Sequence, residues 1–324
     1  SVNDGTTANT LLATPASPFP TTGYAGYAYN SRFIPTNPYT SYASFTDPGY
    51  TYTPIDTAGT AGARNGAYSV NPNNVTNSWG TSATVDWKIA DGYSLKSISS
   101  YRHYNSTSGD SMSGAPVVLV MESADFTNRQ YSQELRLSGA VGTRVNFTVG
   151  GIYFDQLTTY ASRENNPILG CVQVAPGVTV PIYGGCSTPT FDFLQDDPTH
   201  TKTKAGFFNL AWNITDALTL NTGLRYTSED KTYTYERLNI DGITPFQPLS
   251  NPADPLNGTV GEYSGSHTDY RVDLDYQWSP TLMTYAEVST GFKGGGITPR
   301  PYFPQQVIGF GPETLRSYEV GMKN

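Results

Sequence analysis

The stretch KAGFFNLAWNITDALTLNTGLRYTSEDK, Lys204 to Lys231, decides the fold. Its first half puts Gly206, Phe208, Leu210, Trp212 and Ile214 on one face and Asn209, Ala211 and Asn213 on the other. After a two-residue polar turn at Thr215-Asp216, Leu218, Leu220, Leu224 and Tyr226 oppose Thr219, Asn221, Arg225 and Glu229. A period of two over this length marks strands with one apolar and one wet face. Strands of soluble sandwiches run to about five or six residues; these are about twice as long and keep a polar, charge-bearing face. Long alternating segments on a tight turn fit a hairpin of an antiparallel transmembrane β-barrel, with lipid outside and water inside.

The same alternation recurs along the chain. From Ser78, Trp79, Thr81, Ala83, Val85, Trp87 and Ile89 alternate with Ser82, Thr84, Asp86 and Lys88. Asp91-Gly92 then closes a hairpin, since the pair accepts positive φ, and Leu95, Ser97, Ser99 and Tyr101 point outward on the return strand. Tyr131, Leu135 and Leu137 oppose Ser132, Glu134 and Arg136, and a tight turn leads into Val145, Phe147, Val149, Gly151 and Tyr153. Further on, Tyr270, Val272, Leu274, Tyr276 and Trp278 oppose Asp269, Arg271, Asp273, Asp275 and Gln277. A turn at Ser279-Pro280-Thr281 follows, then Leu282, Ala286, Val288 and Phe292, and a last strand from Thr314 to Asn324.

Short turns alternate with long connections near 109–121, 161–199, 237–263 and 295–312. A barrel with short periplasmic turns on one rim and long extracellular loops on the other gives this order. About nine strands result, and an open sheet would leave two bare edges in lipid, where each unpaired backbone group costs several kcal/mol. The segment 78–324 is therefore expected to be part of a larger barrel. Residues 1–77 lack sustained periodicity and carry many tyrosines among Pro, Gly, Ser, Thr and Asn, which reads as a long extracellular loop region.

Composition agrees. The 324 residues include 24 Tyr and 32 Gly, and only 14% are charged, which disfavours helices and favours strands and turns. No run of about eighteen apolar residues is present, which excludes a transmembrane helix. A mean hydropathy of -0.40 is compatible with a barrel, whose apolar residues occupy every second position. A net charge of -8 argues against nucleic acid as a partner. Cys171 and Cys186 share one Pro/Gly-rich segment of an otherwise cysteine-free chain, which suggests a disulfide and an oxidising compartment.

The segments RQYSQELRLSG (129–139), VGGIYFDQ (149–156), GLRYTSEDK (223–231), VDLDYQWSPTLMTYAEVSTGFKGGG (272–296) and PETLRSYEVGMKN (312–324) resemble the barrel of TonB-dependent outer-membrane receptors. They are similar to the sub-group common in sphingomonad-like proteobacteria, and the resemblance spans roughly 78–324. It implies a barrel of 22 strands in the outer membrane of a Gram-negative bacterium, closed by the receptor's own plug domain. Through the plug, TonB would drive import of a small-molecule ligand such as a ferric siderophore, cobalamin, haem or an oligosaccharide. Lipid and lipopolysaccharide would surround the barrel. Neither plug nor TonB box precedes Ser78, and the chain ends at Asn324 without a terminal aromatic strand, so a middle section of a longer receptor is expected.

No P-loop, HExxH or GxSxG motif occurs, so neither catalysis nor a cofactor is expected. Gly294-Gly295-Gly296 reads as a bend where a strand leaves the membrane. Glu134, Arg136, Arg225, Glu229, Asp269, Arg271, Asp273, Asp275, Glu287 and Lys293 form the wet face, with interleaved signs that suit cross-strand pairing. His103, His200 and His267 lie near the loop ends of strands without metal-ligand spacing. Candidate ligand-binding residues are His103, Tyr104, Tyr160, Arg163, Tyr183 and Arg300; the tyrosines offer rigid amphipathic faces to sugars or aromatic siderophores, with loop packing as the plainer reading. Two other classes remain open: a passive porin or structural barrel, expected to fold a loop into its lumen, and a soluble β carbohydrate-binding module.

Overall fold

The computed structural model describes residues 75–111, 121–166, 171–175, 178–181, 191–239, 241–246, 256–301 and 304–324. Most of the 1–77 region, together with Tyr183 and Cys186, lies outside the described residues. Nine long strands follow one another as an antiparallel meander: β1 (Val75–Ala90), β2 (Tyr93–Ser111), β3 (Met121–Val141), β4 (Val145–Asn166), β7 (Phe191–Asn213), β8 (Leu218–Tyr235), β10 (Thr259–Ser279), β11 (Leu282–Lys293) and β14 (Glu313–Lys323). Between them stand the short pairs β5 (Cys171–Ala175) with β6 (Val178–Pro181) and β12 (Gly296–Ile297) with β13 (Gly309–Phe310), while β9 (Arg237–Asn239) adds to β7. The sheet is not closed: among the described residues, β1 and β14 each have one neighbour.

Register fixes the two faces. Phe208 stands opposite Val149 and Leu224, and Asn209 opposite Thr148 and Gly223, so the alternation read along each strand continues across the sheet. The apolar side is open to its surroundings: Trp87 is 62% exposed, Trp278 63% and Val320 82%. In water such a surface would be a large liability; against lipid it is the favourable one.

Aromatic residues bound this surface in two belts. One holds Trp79, Tyr101, Tyr131, Tyr153 and Tyr226; the other holds Trp87, Tyr93, Trp212, Tyr276 and Trp278. Each belt slips toward the short-turn end as it crosses the sheet, as belts of constant height must on tilted strands. Trp79 and Trp87 lie eight positions apart on β1, which at the usual rise and tilt is about 20 Å, close to the apolar band of outer-membrane barrels. Crossing needs about 9–11 residues, yet β7 has 23. About half of it stands clear of the band.

All four short turns lie on one rim. Gly92 (φ 80°) and Gly142 (φ 60°) supply the left-handed backbone that two of them require. The β7–β8 connection has four residues, 214–217, rather than the expected two, because the Thr215 hydroxyl accepts hydrogen bonds from the amides of Ala217 (3.2 Å) and Leu218 (2.9 Å). Arg144, in the neighbouring turn, donates to the Ile214 carbonyl at 2.8 Å and pairs with Asp216 at 3.3 Å. Other boundaries also differ: β1 starts at Val75, and β4 and β7 extend into the 161–199 segment read as loop.

The buried core lies at the opposite end. Tyr235, Leu256 and Ile297 form one cluster, with Tyr233, Tyr263 and Val307 against it, and Phe193 and Phe246 form another. Burial gathers where the long connections fold onto the strand ends.

Candidate functional site

That end of the wet face carries the site. Pairing sets Ser106, Phe126, Tyr160 and Asp197 in one row across β2, β3, β4 and β7, with Tyr235 at the end of β8 beyond them, and all point away from the apolar belts. The Tyr104 ring stacks on Phe126 with centroids 5.5 Å apart, and Phe126 meets Tyr160 edge to face at 6.5 Å. Each such pair is worth about 0.5–1.5 kcal/mol beyond its burial. Beneath them, the buried Asn128 amide donates to the Thr158 hydroxyl at 2.8 Å. The result is an aromatic shelf on a polar base.

Next in the row, Asp197 is buried and fully engaged. It accepts from the Tyr233 hydroxyl at 2.9 Å and from the Glu236 amide at 3.0 Å, and it pairs with the Arg237 guanidinium. Arg237 lies between the rings of Phe193 (5.8 Å) and Tyr235 (6.0 Å). Burial, with Asp197 alongside, pushes the Tyr235 phenol up to about 12 and raises that of Tyr233 as well. Both hydroxyls therefore stay protonated as donors. Burial, then the charges of Asp196 and Asp197, also raises the Glu236 carboxyl.

Tyr235 donates to the Thr298 carbonyl, and this contact reveals the third component. The connection from β11 to β14 folds inward over the wet face as a strap. Ile297 and Val307 press on Gly261 of β10, where a Cβ would meet Ile297 at 2.5 Å. Lys231 donates to the Gly295 carbonyl at 2.7 Å and pairs with Glu229 at 2.9 Å. Gly294 packs against the Glu229 carboxylate, and Gly295 against Tyr263 and the Phe310 carbonyl. The three glycines thus allow close approach; they are more than a bend in a strand.

Below the site, the wet face is a wall of paired charges. Arg271 bridges Glu287 (2.8 Å) and Asp273 (3.5 Å), Arg136 pairs with Glu134, and the Asn221 amide donates to Asp275 at 2.8 Å. Solvated pairs of this kind contribute about 0–1 kcal/mol each.

Of the residues singled out in the sequence, the structure brings Tyr104 and Tyr160 into the shelf. It sets Arg300, exposed, on the strap one residue beyond Pro299, whose carbonyl lies 3.5 Å from the Tyr233 hydroxyl. His103 and Arg163 fall on the other face; His103 lies 6.1 Å from the Trp79 ring, and Arg163 is buried. His200 pairs with Asp155 at 2.7 Å on that same outer face, while His267 packs on Phe292 on the inner one. Among the described residues no group of three His, Cys, Asp or Glu side chains could hold a metal ion. Cys171 opens β5, but Cys186 lies outside the described residues, so the disulfide stays an expectation. Asp197, Arg237 and Phe126 were missed; the tyrosine-and-charge run from Tyr233 to Arg237 was the signal for one of them, Arg237.

A family model described as TonB dependent receptor-like, beta-barrel, matches residues 16–324. The chain belongs to the TonB-dependent receptor β-barrel family. This is a family of receptors, not enzymes. The chain is similar to the ferric yersiniabactin uptake receptor FyuA from Yersinia pestis, with TM-score 0.56 and 17% identity over 77% of this chain and 33% of that one. It is also similar to the copper transporter OprC, with TM-score 0.51 and 10% identity over 77% of this chain and 36% of that one. At such identities the likeness concerns the fold. The chain spans about a third of the length of these structures.

Proposed function

We propose that this receptor barrel is a section of an outer-membrane importer coupled to TonB, taking up a scarce small molecule, with ferric siderophores the first class to test. In this reading the long-loop rim faces the exterior, residues 1–77 belong to an extracellular loop region, and a Cys171–Cys186 disulfide braces another. A plug and further strands complete the barrel, and TonB acts through that plug. The observation that carries the reading is the inner mouth: the shelf Tyr104–Phe126–Tyr160, the buried Asp197–Arg237 pair and the strap with Arg300 all border the wet face at the long-loop rim. The shelf offers flat apolar contact, and Arg300 a solvent-exposed cation. FyuA, by its name a ferric-siderophore receptor, supports the ligand class.

One observation favours a passive pore: the strap folds onto the inner wall, as a constriction loop would. Uptake separates the two. Cells expressing the full-length receptor should accumulate iron from a panel of ferric siderophores only with intact TonB and a proton-motive force. Accumulation unchanged without TonB would reject the importer.

A further inference from the structure

We infer that the strap is a detachable gate, closed in this structure, whose Ile297 fills an aromatic socket on the wall and which lifts as one unit to uncover it. The inference rests on reading the wet face as the lumen wall of the proposed importer. Among the described residues, the strap's backbone-to-backbone hydrogen bonds are internal. The Thr298 amide donates to the Ile308 carbonyl at 3.0 Å and the Val307 amide to the Pro304 carbonyl at 3.0 Å, beside the β12–β13 pair. The strap therefore keeps its shape without the wall. Its links to the wall are made by side chains of β8. Four inner positions in succession, Glu229, Lys231, Tyr233 and Tyr235, meet Gly294, the Gly295 carbonyl (2.7 Å), the Pro299 carbonyl (3.5 Å) and the Thr298 carbonyl. Water can replace such donors, so release of the strap breaks no sheet pairing.

The socket is small and specific. Ile297 is buried against Tyr235 and Leu256, with Tyr233, Tyr263 and Val307 around them. Gly261 is its floor, where a Cβ would stand 3.5 Å from the Ile297 Cβ. One isoleucine, one valine and the β8 side chains make the hold, which places the strap at the low-stability end of the fold, from which moving elements are drawn. Glycines stand at both of its ends, Gly294 to Gly296 and Gly309 with Gly311, where a change of backbone angles is easiest. The outward side of the strap is open, with Ile308 62% and Phe310 53% exposed, so nothing among the described residues pins it from the lumen. The socket also adjoins the shelf. Asp197, in the row with Tyr160, accepts from Tyr233, whose ring lies 4.4 Å from that of Tyr235. A lifted strap would uncover Tyr233, Tyr235 and Tyr263 and extend the aromatic surface from the shelf toward β10. Ile297 thus occupies in the closed state the surface that an incoming ligand would use, an autoinhibitory contact within the chain.

The test needs no ligand. In the full-length receptor reconstituted in bilayers, with Cys171→Ser and Cys186→Ser as background, spin labels at Ile308→Cys and Ser132→Cys report the distance from strap to wall. One dominant distance is expected, with a minor population at longer range. Glu229→Gln, Lys231→Met and Tyr235→Phe together remove the donors and leave no unpaired charge, and should raise the minor population about tenfold, as the loss of two hydrogen bonds predicts. Lys96→Met, on the wall away from the strap, should not change it. A disulfide between Gly261→Cys and Ile297→Cys, whose Cβ separation suits one, tethers the strap. The tether is read by hydrogen exchange across 294–310, which should slow and recover on reduction. An unchanged single distance in the triple variant, or exchange unaffected by the tether, would overturn the gate. Iron accumulation from the ferric-siderophore panel should stop in the tethered receptor and resume with reductant, and accumulation equal to that of the untethered receptor would also overturn it. A strap that moves in a receptor that imports nothing from the panel would reject the importer alone.

Discussion

Gly295 has no room for a methyl group, since Tyr263 and the Phe310 carbonyl occupy the space a Cβ would need. Gly295→Ala is expected to cost about 1–3 kcal/mol locally through overpacking. Hydrogen exchange should speed up across 294–310 while the middle of β7 and β8 keeps its protection. Asp197 tests a different term. Asp197→Ala would leave the Arg237 guanidinium buried without its counter-ion, a loss of about 3–5 kcal/mol, visible as protease sensitivity around 235–246. Glu236 sets the pH dependence there. Its carboxyl is raised in the fold, so the folded chain holds that proton more tightly than the unfolded one. Stability of this end is therefore greatest below the ordinary carboxylate pKa of about 4.3 and declines as pH rises through the raised value. Glu236→Gln should flatten that decline in a thermal-unfolding series across acidic pH.

At the scale of the strand, the two faces should answer the same mutation differently. Phe208→Arg puts a cation on the apolar band and is expected to cost about 2–4 kcal/mol toward mid-membrane. Asn209→Arg, one position on, adds a charge to a wet wall and should be nearly neutral in denaturant-unfolding midpoints of the full-length receptor refolded into lipid vesicles. This contrast is also why the strands were legible: period two needs only the local sequence, and Phe208, Leu210 and Trp212 display it unaided. The mouth was harder to read. Pro198 disguised the upper part of β7, because proline lacks the amide a ladder requires. The chain tolerates it since pairing with β8 begins only at Thr199. The strap was illegible, since Ile297 meets Tyr235 and Gly261 through contacts that no periodicity encodes. Tyr104 and Tyr160 were found by residue type, whereas Phe126 between them was masked by its place in an ordinary alternating strand.

For the whole molecule, the sheet runs in one sense from β1 to β14, with every short turn on one rim and the strap at the other. The belts set its height and the paired wall its interior. The proposed import depends on this arrangement of one wet and one lipid-facing surface. Spin labels placed singly from Lys204 to Asn213, in the full-length receptor reconstituted in bilayers, measure it directly. From Gly206 to Trp212 the even positions should be accessible to oxygen and shielded from a water-soluble relaxation agent, and the odd positions from Phe207 to Asn213 the reverse. A uniform profile, or even-numbered positions open to the water-soluble agent, would contradict it.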